Sequence, residues 1–371
     1  MTYPHAADDA DNHRLLCVAE DCISGFHARP FAAVAEACGM EEEEVRGRLL
    51  AMLQAGVVRR VRQTLLSTSL AEGALVAWKL PEQCLEQAFD WLRTHDPFTG
   101  HVVLRHAEDP ACPGADYRLW TTLKVPTGYG SLAEHTQMVA NLLHAEDVVL
   151  LPVVGMFSLG VGHARRAKLK PGDRLSSAPA MQRPQHPVLS EEEWAVLLSL
   201  KESLTPEEFV PCPWEQRARA LGMSTERYCA VAADLDTRGV IGRFATFLDH
   251  TGRVSRTSGI GSAGLFHWTV PAGMEEKAGS EVGRHICMTH CYWRSGGKPF
   301  GGAQIMGVTH APTREEVLAH KAAIDAHLES CGIPVLHTAV FWSDRAEIRP
   351  SDISPARYRE WKQALLNGRL R

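Results

Sequence analysis

The sequence predicts an α+β fold in which one module of two domains occurs twice in tandem. Two repeats carry this prediction. Residues 39–60 recur as residues 222–243, at an offset of 183, and both copies run from a Gly-Met pair to a Gly-Val dipeptide that opens a strand-like stretch. A His/Arg pair, His101 and Arg105, recurs at an offset of 189 as His290 and Arg294. Within each copy, helical spacing of apolar residues gives way to the two-residue alternation of strands.

The first domain of each module has the element order of a winged helix-turn-helix. Residues 14–22 are amphipathic, Pro30 stands where a first-turn proline fits, and Gly39 ends the helix that follows. Residues 41–54 form the third helix, and residues 57–66 alternate like a β-wing. The second copy extends over residues 191–248.

The second domain of each module reads β-α-β-β-α-β, the ferredoxin-like order. In the first copy the strands are 74–80, 101–106, 117–125 and 148–157, and the helices are 81–94 and 131–145. In the second copy the strands are 265–271, 288–293, 303–310 and 335–342, and the helices are 275–285 and 313–331. A C-terminal helix, 358–366, is expected to pack on the second module.

These elements divide the chain into two domain pairs, a linker and a tail. The predicted boundaries are winged helix 12–70, ferredoxin-like domain 71–163, linker 164–187, winged helix 188–256, ferredoxin-like domain 257–350 and C-terminal helix 351–371. The two ferredoxin-like sheets are expected to pack together as an internal pseudo-dimer. A further homodimer is left open.

Composition argues against several classes of protein. The chain is 45% hydrophobic and 22% charged, as soluble globular proteins are, and its net charge of −5 disfavours a dedicated nucleic-acid binder. Its ten cysteines form no C-x-x-C pair, which indicates reduced thiols rather than a zinc or iron–sulfur site. The N-terminus does not read as a signal peptide, and the longest apolar run, 148–159, is too short to span a bilayer. A cytoplasmic protein without membrane contact is predicted.

A winged helix followed by a ferredoxin-like domain resembles the Lrp/AsnC regulators. A ligand-responsive transcriptional regulator is therefore one alternative. However, the third helix of the first copy opens with four glutamates at 41–44. A recognition helix approaches phosphates and base edges with its N-terminal end, so these carboxylates would repel DNA. DNA is not expected as a partner.

A more specific resemblance comes from residues 290–294, which read His-Cys-Tyr-Trp-Arg, and from the next strand, which carries Met306 and ends at His310. This motif on an AsnC-like domain resembles siroheme decarboxylases. Weaker matches are found at 101–105 and 117–123, and the wings at 56–60 and 239–250 also fit the family. The resemblance covers nearly the whole chain, as if the family's two related subunit types were fused.

The resemblance implies non-oxidative removal of the two ring acetate carboxyls of siroheme, giving 12,18-didecarboxysiroheme in heme d1 or siroheme-dependent heme biosynthesis. The iron tetrapyrrole would be the substrate, and no other metal or cofactor is expected. A non-catalytic tetrapyrrole- or heme-binding protein is a second alternative. The chain departs from the family pattern at Val102 and Val103 and at residues 300–303, which leaves open whether both halves are catalytic.

The residue types suit this chemistry. Arginine forks bind carboxylates, and siroheme carries eight of them. Losing CO₂ leaves a carbanion that the macrocycle can delocalise, and histidine, with an ordinary pKa of about 6.5, can protonate it. The catalytic candidates are His290, His101 and His310. The substrate-binding candidates are Arg294, Tyr292, Arg105, Arg59, Arg60, Arg243, His250, Tyr117 and Trp120. An apolar wall that favours the departure of CO₂ is expected from Trp78, Trp268, Trp293 and Met306.

Overall fold

The structure is a computed structural model that describes residues 3–66, 70–159, 169–185, 187–248, 262–349 and 351–369. The chain divides into two compact units. The first comprises residues 1–67, 160–168 and 187–259, and the second comprises 68–159, 169–186 and 260–371. Both helix-turn-helix segments therefore lie in the first unit, and both β-α-β-β-α-β segments lie in the second.

The elements follow the predicted order closely. The helices are α1 (Ala10–Ala19), α2 (Pro30–Cys38), α3 (Glu42–Gln54), α4 (Leu85–His95), α5 (Leu132–Leu143), α6 (Glu191–Lys201), α7 (Glu215–Ala220), α8 (Thr225–Thr237), α9 (Glu275–Gly283), α10 (Arg314–Ser330) and α11 (Pro355–Leu366). The strands are β1 (Ile23–Ser24), β2 (Val58–Leu65), β3 (Ala71–Lys79), β4 (Thr99–Ala107), β5 (Leu119–Pro126), β6 (Asp147–Leu159), β7 (Ile241–Leu248), β8 (Ser262–Thr269), β9 (Met288–Arg294), β10 (Ile305–Ala311) and β11 (His337–Glu347). Among the described residues, no helix has both the length and the apolar character that crossing a membrane requires.

In the first unit, the two predicted wings pair with each other. Strands β2 and β7 are antiparallel, with Arg60 opposite Phe247 and Arg62 opposite Ala245, and the short strand β1 pairs with the other edge of β7. Helix α2 begins at Pro30 and ends at Cys38, and it is followed by Gly39, whose φ of 66° is the left-handed conformation expected of a capping glycine. The pairing brings equivalent strands of the two copies into one sheet.

In the second unit, eight strands close into a barrel with the order β10-β8-β11-β4-β5-β3-β6-β9. Each β-α-β-β-α-β segment supplies four consecutive strands, and neighbouring strands are antiparallel throughout. The segments are joined where β11 pairs with β4 and where β6 pairs with β9. The expectation of two sheets that pack on each other is corrected here, because their edges are hydrogen-bonded and closure leaves neither sheet with an unpaired edge.

The predicted apolar wall is wrong for its three tryptophans, which face the helices outside the barrel. Trp78 donates to the hydroxyl of Thr121, and Trp268 donates to Asp325 of α10. Because side chains alternate along a strand, the neighbours of these tryptophans point into the barrel instead. The interior contains Met306, as predicted, together with Leu151 and the aromatic rings of Trp120, Phe300 and Phe341.

The C-terminal helix α11 packs on the first β-α-β-β-α-β segment, so its predicted placement on the second is also wrong. The indole of Trp361 donates to the carbonyl of His95 at 2.7 Å and stacks on His135 with ring centroids 4.5 Å apart. The cause is the last strand: β11 runs beside β4 as far as Glu347, so the chain leaves the barrel on the side of the first segment.

The contact beneath this helix predicts a large stability effect. Asp96, fully buried, accepts hydrogen bonds from His135 Nε2 at 3.0 Å and from the hydroxyl of Thr99 at 2.8 Å. Burial alone would raise the pKa of Asp96, but the charge and hydrogen bond of His135, with the bonds from Thr99 and the Phe98 amide, outweigh it and lower that pKa. Replacing Asp96 by asparagine is therefore expected to lower the free energy of unfolding by about 3 kcal/mol.

The pH dependence gives this prediction a second readout. A lowered carboxyl pKa contributes stability above the unfolded value of about 3.9 and loses it as the pH falls through the folded value. Denaturant unfolding of Asp96→Asn and the parent should therefore differ most above about pH 5 and converge in stronger acid. Asp90→Asn, at an exposed position, is the matched control. An Asp96→Asn protein as stable as its parent at neutral pH would contradict the prediction.

Candidate active site

The interior face of strand β9 carries three of the predicted site residues. His290, Tyr292 and Arg294 alternate along the strand and share a face, as their even spacing predicts. The rings of His290 and Tyr292 are nearly parallel at 15°, with centroids 6.2 Å apart, and the Arg294 guanidinium carbon lies 4.4 Å from the centre of the Tyr292 ring. Cys291, between them, points outward, with its thiol 3.6 Å from the carbonyl of Gly279 on α9.

His310, on the neighbouring strand β10, is linked to His290 by a hydroxyl. Thr289 Oγ1 lies 3.2 Å from His290 Nδ1 and 3.5 Å from His310 Nδ1, and it donates its proton to the carbonyl of Val308 at 3.0 Å. Because that proton is committed to Val308, each Nδ1 that bonds this oxygen must act as the donor. The neutral rings then present Nε2 as their acceptor. Sequence reasoning missed Thr289, although it directly precedes the motif.

Arg294 is a buried cation, with a side chain only 6% exposed. One terminal nitrogen donates to the carbonyl of Leu151 at 2.9 Å, and Nε has no hydrogen-bond partner among the described residues. Burial lowers the pKa of Arg294 to about 10, with a small opposing effect from Tyr292. Among the described residues no carboxylate forms an ion pair with Arg294, so a carboxylate on a ligand would relieve the cost of burying its charge.

The first β-α-β-β-α-β segment offers a related but different pair on strand β4. Arg105 is buried and donates to the hydroxyl of Ser343 at 2.8 Å; burial lowers its pKa to about 10, against the nearby charge of Asp344. Burial, followed by the charges of Lys124 and Arg105, lowers the pKa of His101 to about 4. His101 is therefore neutral at physiological pH, which makes it a poor proton donor in this state.

The three predicted catalytic histidines lie at one end of the barrel. Strands β4 and β9 are four positions apart among eight, on opposite walls, and they run in the same direction because every neighbour is antiparallel. His101 and His290 are each the third residue of their strand. His310, near the end of the antiparallel strand β10, lies beside His290. The geometry therefore gives one barrel mouth with histidines on two facing walls.

Tyr117 and Trp120, predicted as substrate-binding residues, lie farther along the barrel from this mouth. The hydroxyl of Tyr117 donates to Asp147 at 2.5 Å, and the Trp120 indole donates to the carbonyl of Tyr117 at 2.7 Å. Both rings pack on Phe300, with centroid distances of 5.3 and 5.0 Å. The 300–303 segment, a departure from the family pattern, thus contributes an aromatic ring that fills the barrel interior.

A buried histidine that sequence reasoning missed lies among these rings. His267 is 1% exposed, and neither ring nitrogen has a hydrogen-bond partner among the described residues. Its ring lies 5.3 Å from that of His337, and burial, followed by the His337 charge, lowers the pKa of His267 to about 3. The sequence offers one signal for His267. Its equivalent in the first copy is Ala77, so the repeat marks the histidine as a difference between the two copies.

The wing arginines form a separate cluster within the first unit. Arg60 and Arg62 both lie over the ring of Phe247, with guanidinium carbons 4.7 and 5.3 Å from its centre. Burial, then the charges of Arg62 and Arg59, lower the pKa of Arg60 to about 10. Arg243 shares the Phe247 face of β7, whereas Arg59 is exposed. His250 lies outside the described residues.

Comparisons with known proteins agree with this architecture. Residues 26–59 match the family model described as the siroheme decarboxylase NirDL-like HTH domain. A siroheme decarboxylase of Hydrogenobacter thermophilus (strain DSM 6534 / IAM 12695 / TK-6) is 27% identical over 301 residues, which cover 78% of this chain and 80% of the relative. A siroheme decarboxylase NirDL subunit of Paracoccus pantotrophus is 23% identical, covering 83% of this chain and 87% of the relative.

A solved structure extends the likeness to the whole fold. The crystal structure of the siroheme decarboxylase NirDL in co-complex with an iron-uroporphyrin III analogue superimposes with a TM-score of 0.68 and 21% identity, covering 96% of this chain and 99% of that one. A second crystal structure of the siroheme decarboxylase NirDL superimposes with a TM-score of 0.69 and 21% identity, covering 96% of this chain and 99% of that one. The family resemblance seen in the sequence is thereby confirmed: the chain is similar over most of its length to siroheme decarboxylases, and residues 26–59 match their NirDL-like helix-turn-helix model.

Proposed function

We propose that this chain is a siroheme decarboxylase, a carboxy-lyase that removes the two ring acetate carboxyls of siroheme to give 12,18-didecarboxysiroheme. The observation that carries the proposal is the interior face of β9, where Arg294, a buried arginine without a carboxylate partner among the described residues, lies four residues from His290. The curated relatives named siroheme decarboxylase support this function over a DNA-binding regulator. The iron tetrapyrrole is the substrate, and it brings the iron with it.

Substrate recognition is assigned to arginines and aromatic rings. Arg294 and Arg105, one from each segment of the barrel, would pair with carboxylates, and Tyr292 would hold Arg294 in place through its ring face. The wing arginines Arg59, Arg60 and Arg243 are kept as further carboxylate-binding candidates. Tyr117 and Trp120 are better explained as part of the apolar filling of the barrel, which limits how deep a macrocycle can enter.

The reaction needs one proton for each CO₂ released. When the bond between the acetate methylene and its carboxylate breaks, the electron pair stays on the methylene carbon and spreads into the macrocycle, and a proton then converts that carbon into a methyl group. We assign this proton to Nε2 of His290 in its protonated, imidazolium form, which takes up a proton from solvent before the second CO₂ leaves; His310 is its neighbour through Thr289. His101 is a weaker candidate, because burial and two neighbouring cations hold it neutral.

The decisive experiment is anaerobic incubation of the purified chain with siroheme, followed by mass spectrometry of the tetrapyrrole. Loss of two molecules of CO₂ is expected. Binding without any change in mass would favour a non-catalytic tetrapyrrole-binding protein. Salt-sensitive binding to duplex DNA, against which the glutamates at 41–44 argue, would favour a regulator.

We also propose that the fold arose as a tandem duplication of a winged helix followed by a ferredoxin-like, AsnC-type domain. It is supported by the equal order of elements in the two halves and by the barrel, in which each half supplies four neighbouring strands. The boundaries 12–70, 71–163, 164–187, 188–256, 257–350 and 351–371 follow from this interpretation. An internal pseudo-dimer needs no second copy of the chain to complete the barrel.

A further inference from the structure

The strand register identifies an additional cation at the barrel mouth. On β5, Lys124 lies opposite Gly73 of β3, and on β10, His310 lies opposite Ala263 of β8. Gly73 and Ala263 are 190 residues apart, the offset that relates these two strands throughout the repeat. Lys124 is therefore the structural counterpart of His310, although the two residues differ in chemistry.

Lys124 also lies on the interior face, next to His101. It follows Trp120 and Thr122 at two-residue steps, and Trp120 belongs to the cluster inside the barrel. The hydroxyl of Thr122 accepts the backbone N–H of His101 at 2.9 Å, which fixes β5 beside the start of β4. Lys124 is close enough that its charge helps to hold His101 in the neutral form.

The exchange of histidine for lysine changes what this wall can do. An ammonium with an ordinary pKa of about 10.4 stays charged at neutral pH and donates three hydrogen bonds, so it binds a carboxylate but holds its proton too tightly to release it readily. Arg105 lies on the same interior face of β4 as His101. The first wall therefore carries two cations, Lys124 and Arg105, and the neutral imidazole of His101. The second wall carries two histidines and one arginine.

We propose that Lys124 binds a carboxylate of the tetrapyrrole, so that the first segment anchors the macrocycle while the second segment, through His290 and His310, delivers protons. This inference rests on the proposed function. It makes Lys124 a specificity-determining residue for polycarboxylate tetrapyrroles. The two walls are equivalent in the repeat, but one binds carboxylates and the other supplies protons.

The test is Lys124→Met, compared with Lys124→Arg, with Lys124→His and with Lys362→Ala, a lysine on α11 that pairs with Glu134 at the surface. Lys124→Met is expected to raise both the KM for siroheme and the Kd for iron-uroporphyrin III at least about tenfold, with a much smaller change in kcat, as removal of a charged hydrogen bond does. Lys124→Arg should restore most of the affinity. Lys362→Ala should match the parent.

The outcomes separate this inference from the function on which it rests. If the parent decarboxylates siroheme and Lys124→Met keeps the parental KM and Kd, the anchoring role is wrong and the function stands. If the parent binds iron-uroporphyrin III without ever decarboxylating siroheme, the function fails while the Kd series still decides whether Lys124 anchors the ligand. A Lys124→His variant with higher kcat than the parent would also overturn the inference, because the position would then accept a proton-delivering role.

Discussion

Replacing His290 by alanine is expected to slow the release of CO₂ from siroheme by about 10²–10⁴-fold, which is the range for loss of a general acid. Binding of siroheme should change little, because carboxylate recognition is assigned to Arg294 and its partners rather than to the imidazole. The measurement is single-turnover decarboxylation under anaerobic conditions, with the siroheme Kd determined by absorbance in parallel. A His290→Ala protein that keeps full turnover would remove His290 from the mechanism.

Two further variants show whether the effect belongs to His290 itself. His13→Ala replaces an exposed histidine on α1 and should leave turnover unchanged. Thr289→Val keeps the shape of the residue between the two imidazoles and removes the hydroxyl that bonds both Nδ1 atoms. A decrease of about tenfold is expected for Thr289→Val, since the rings would lose their orienting partner but keep their nitrogens. Equal losses in Thr289→Val and His290→Ala would point to ring orientation, rather than proton delivery, as the main contribution.

Much of the fold could be predicted because local patterns determine it. Pro30 and Gly39 mark the two ends of α2, and the strand-like stretches predicted from the sequence coincide with strands of the barrel. Closure of the barrel could not be predicted, since the pairing of β11 with β4 joins residues more than 200 positions apart and changes no side-chain pattern within either strand. For the same reason the position of α11 was wrong, because it depends on where β11 ends.

The site shows the same division between local and distant information. Even spacing predicts that His290 and Arg294 share a face, but it does not say whether that face meets the helices or the barrel interior. The error over Trp78 and Trp268 has this origin. Thr289 and Lys124 were missed because their importance depends on what lies across the neighbouring strand, His310 in one case and His101 in the other.

Arg294→Met is expected to change stability and binding in opposite directions. A folded-state pKa near 10 in place of 12.5 means that burial disfavours the charged guanidinium by on the order of 3 kcal/mol. Because the folded pKa is lowered, this penalty is present in full below about pH 10 and fades as the pH rises towards the unfolded value. Methionine has a similar length and no charge, so the variant without ligand should gain about 1–2 kcal/mol at neutral pH after losing the bond to Leu151.

The gain should vanish when siroheme is added. In the parent, a bound carboxylate would neutralise Arg294 and raise the melting temperature, whereas Arg294→Met should bind siroheme about 30- to 100-fold more weakly and show little rise.

Arg48→Met is the contrasting control: Arg48 is buried but bonded to Glu44, Asp9 and Asp11, so its loss should destabilise the protein by about 3 kcal/mol. If Arg294→Met instead proved less stable than the parent and bound siroheme equally well, Arg294 would be a structural residue. A cation kept at a cost to stability is what a carboxylate-binding site requires, and that cost can be measured in the protein without ligand.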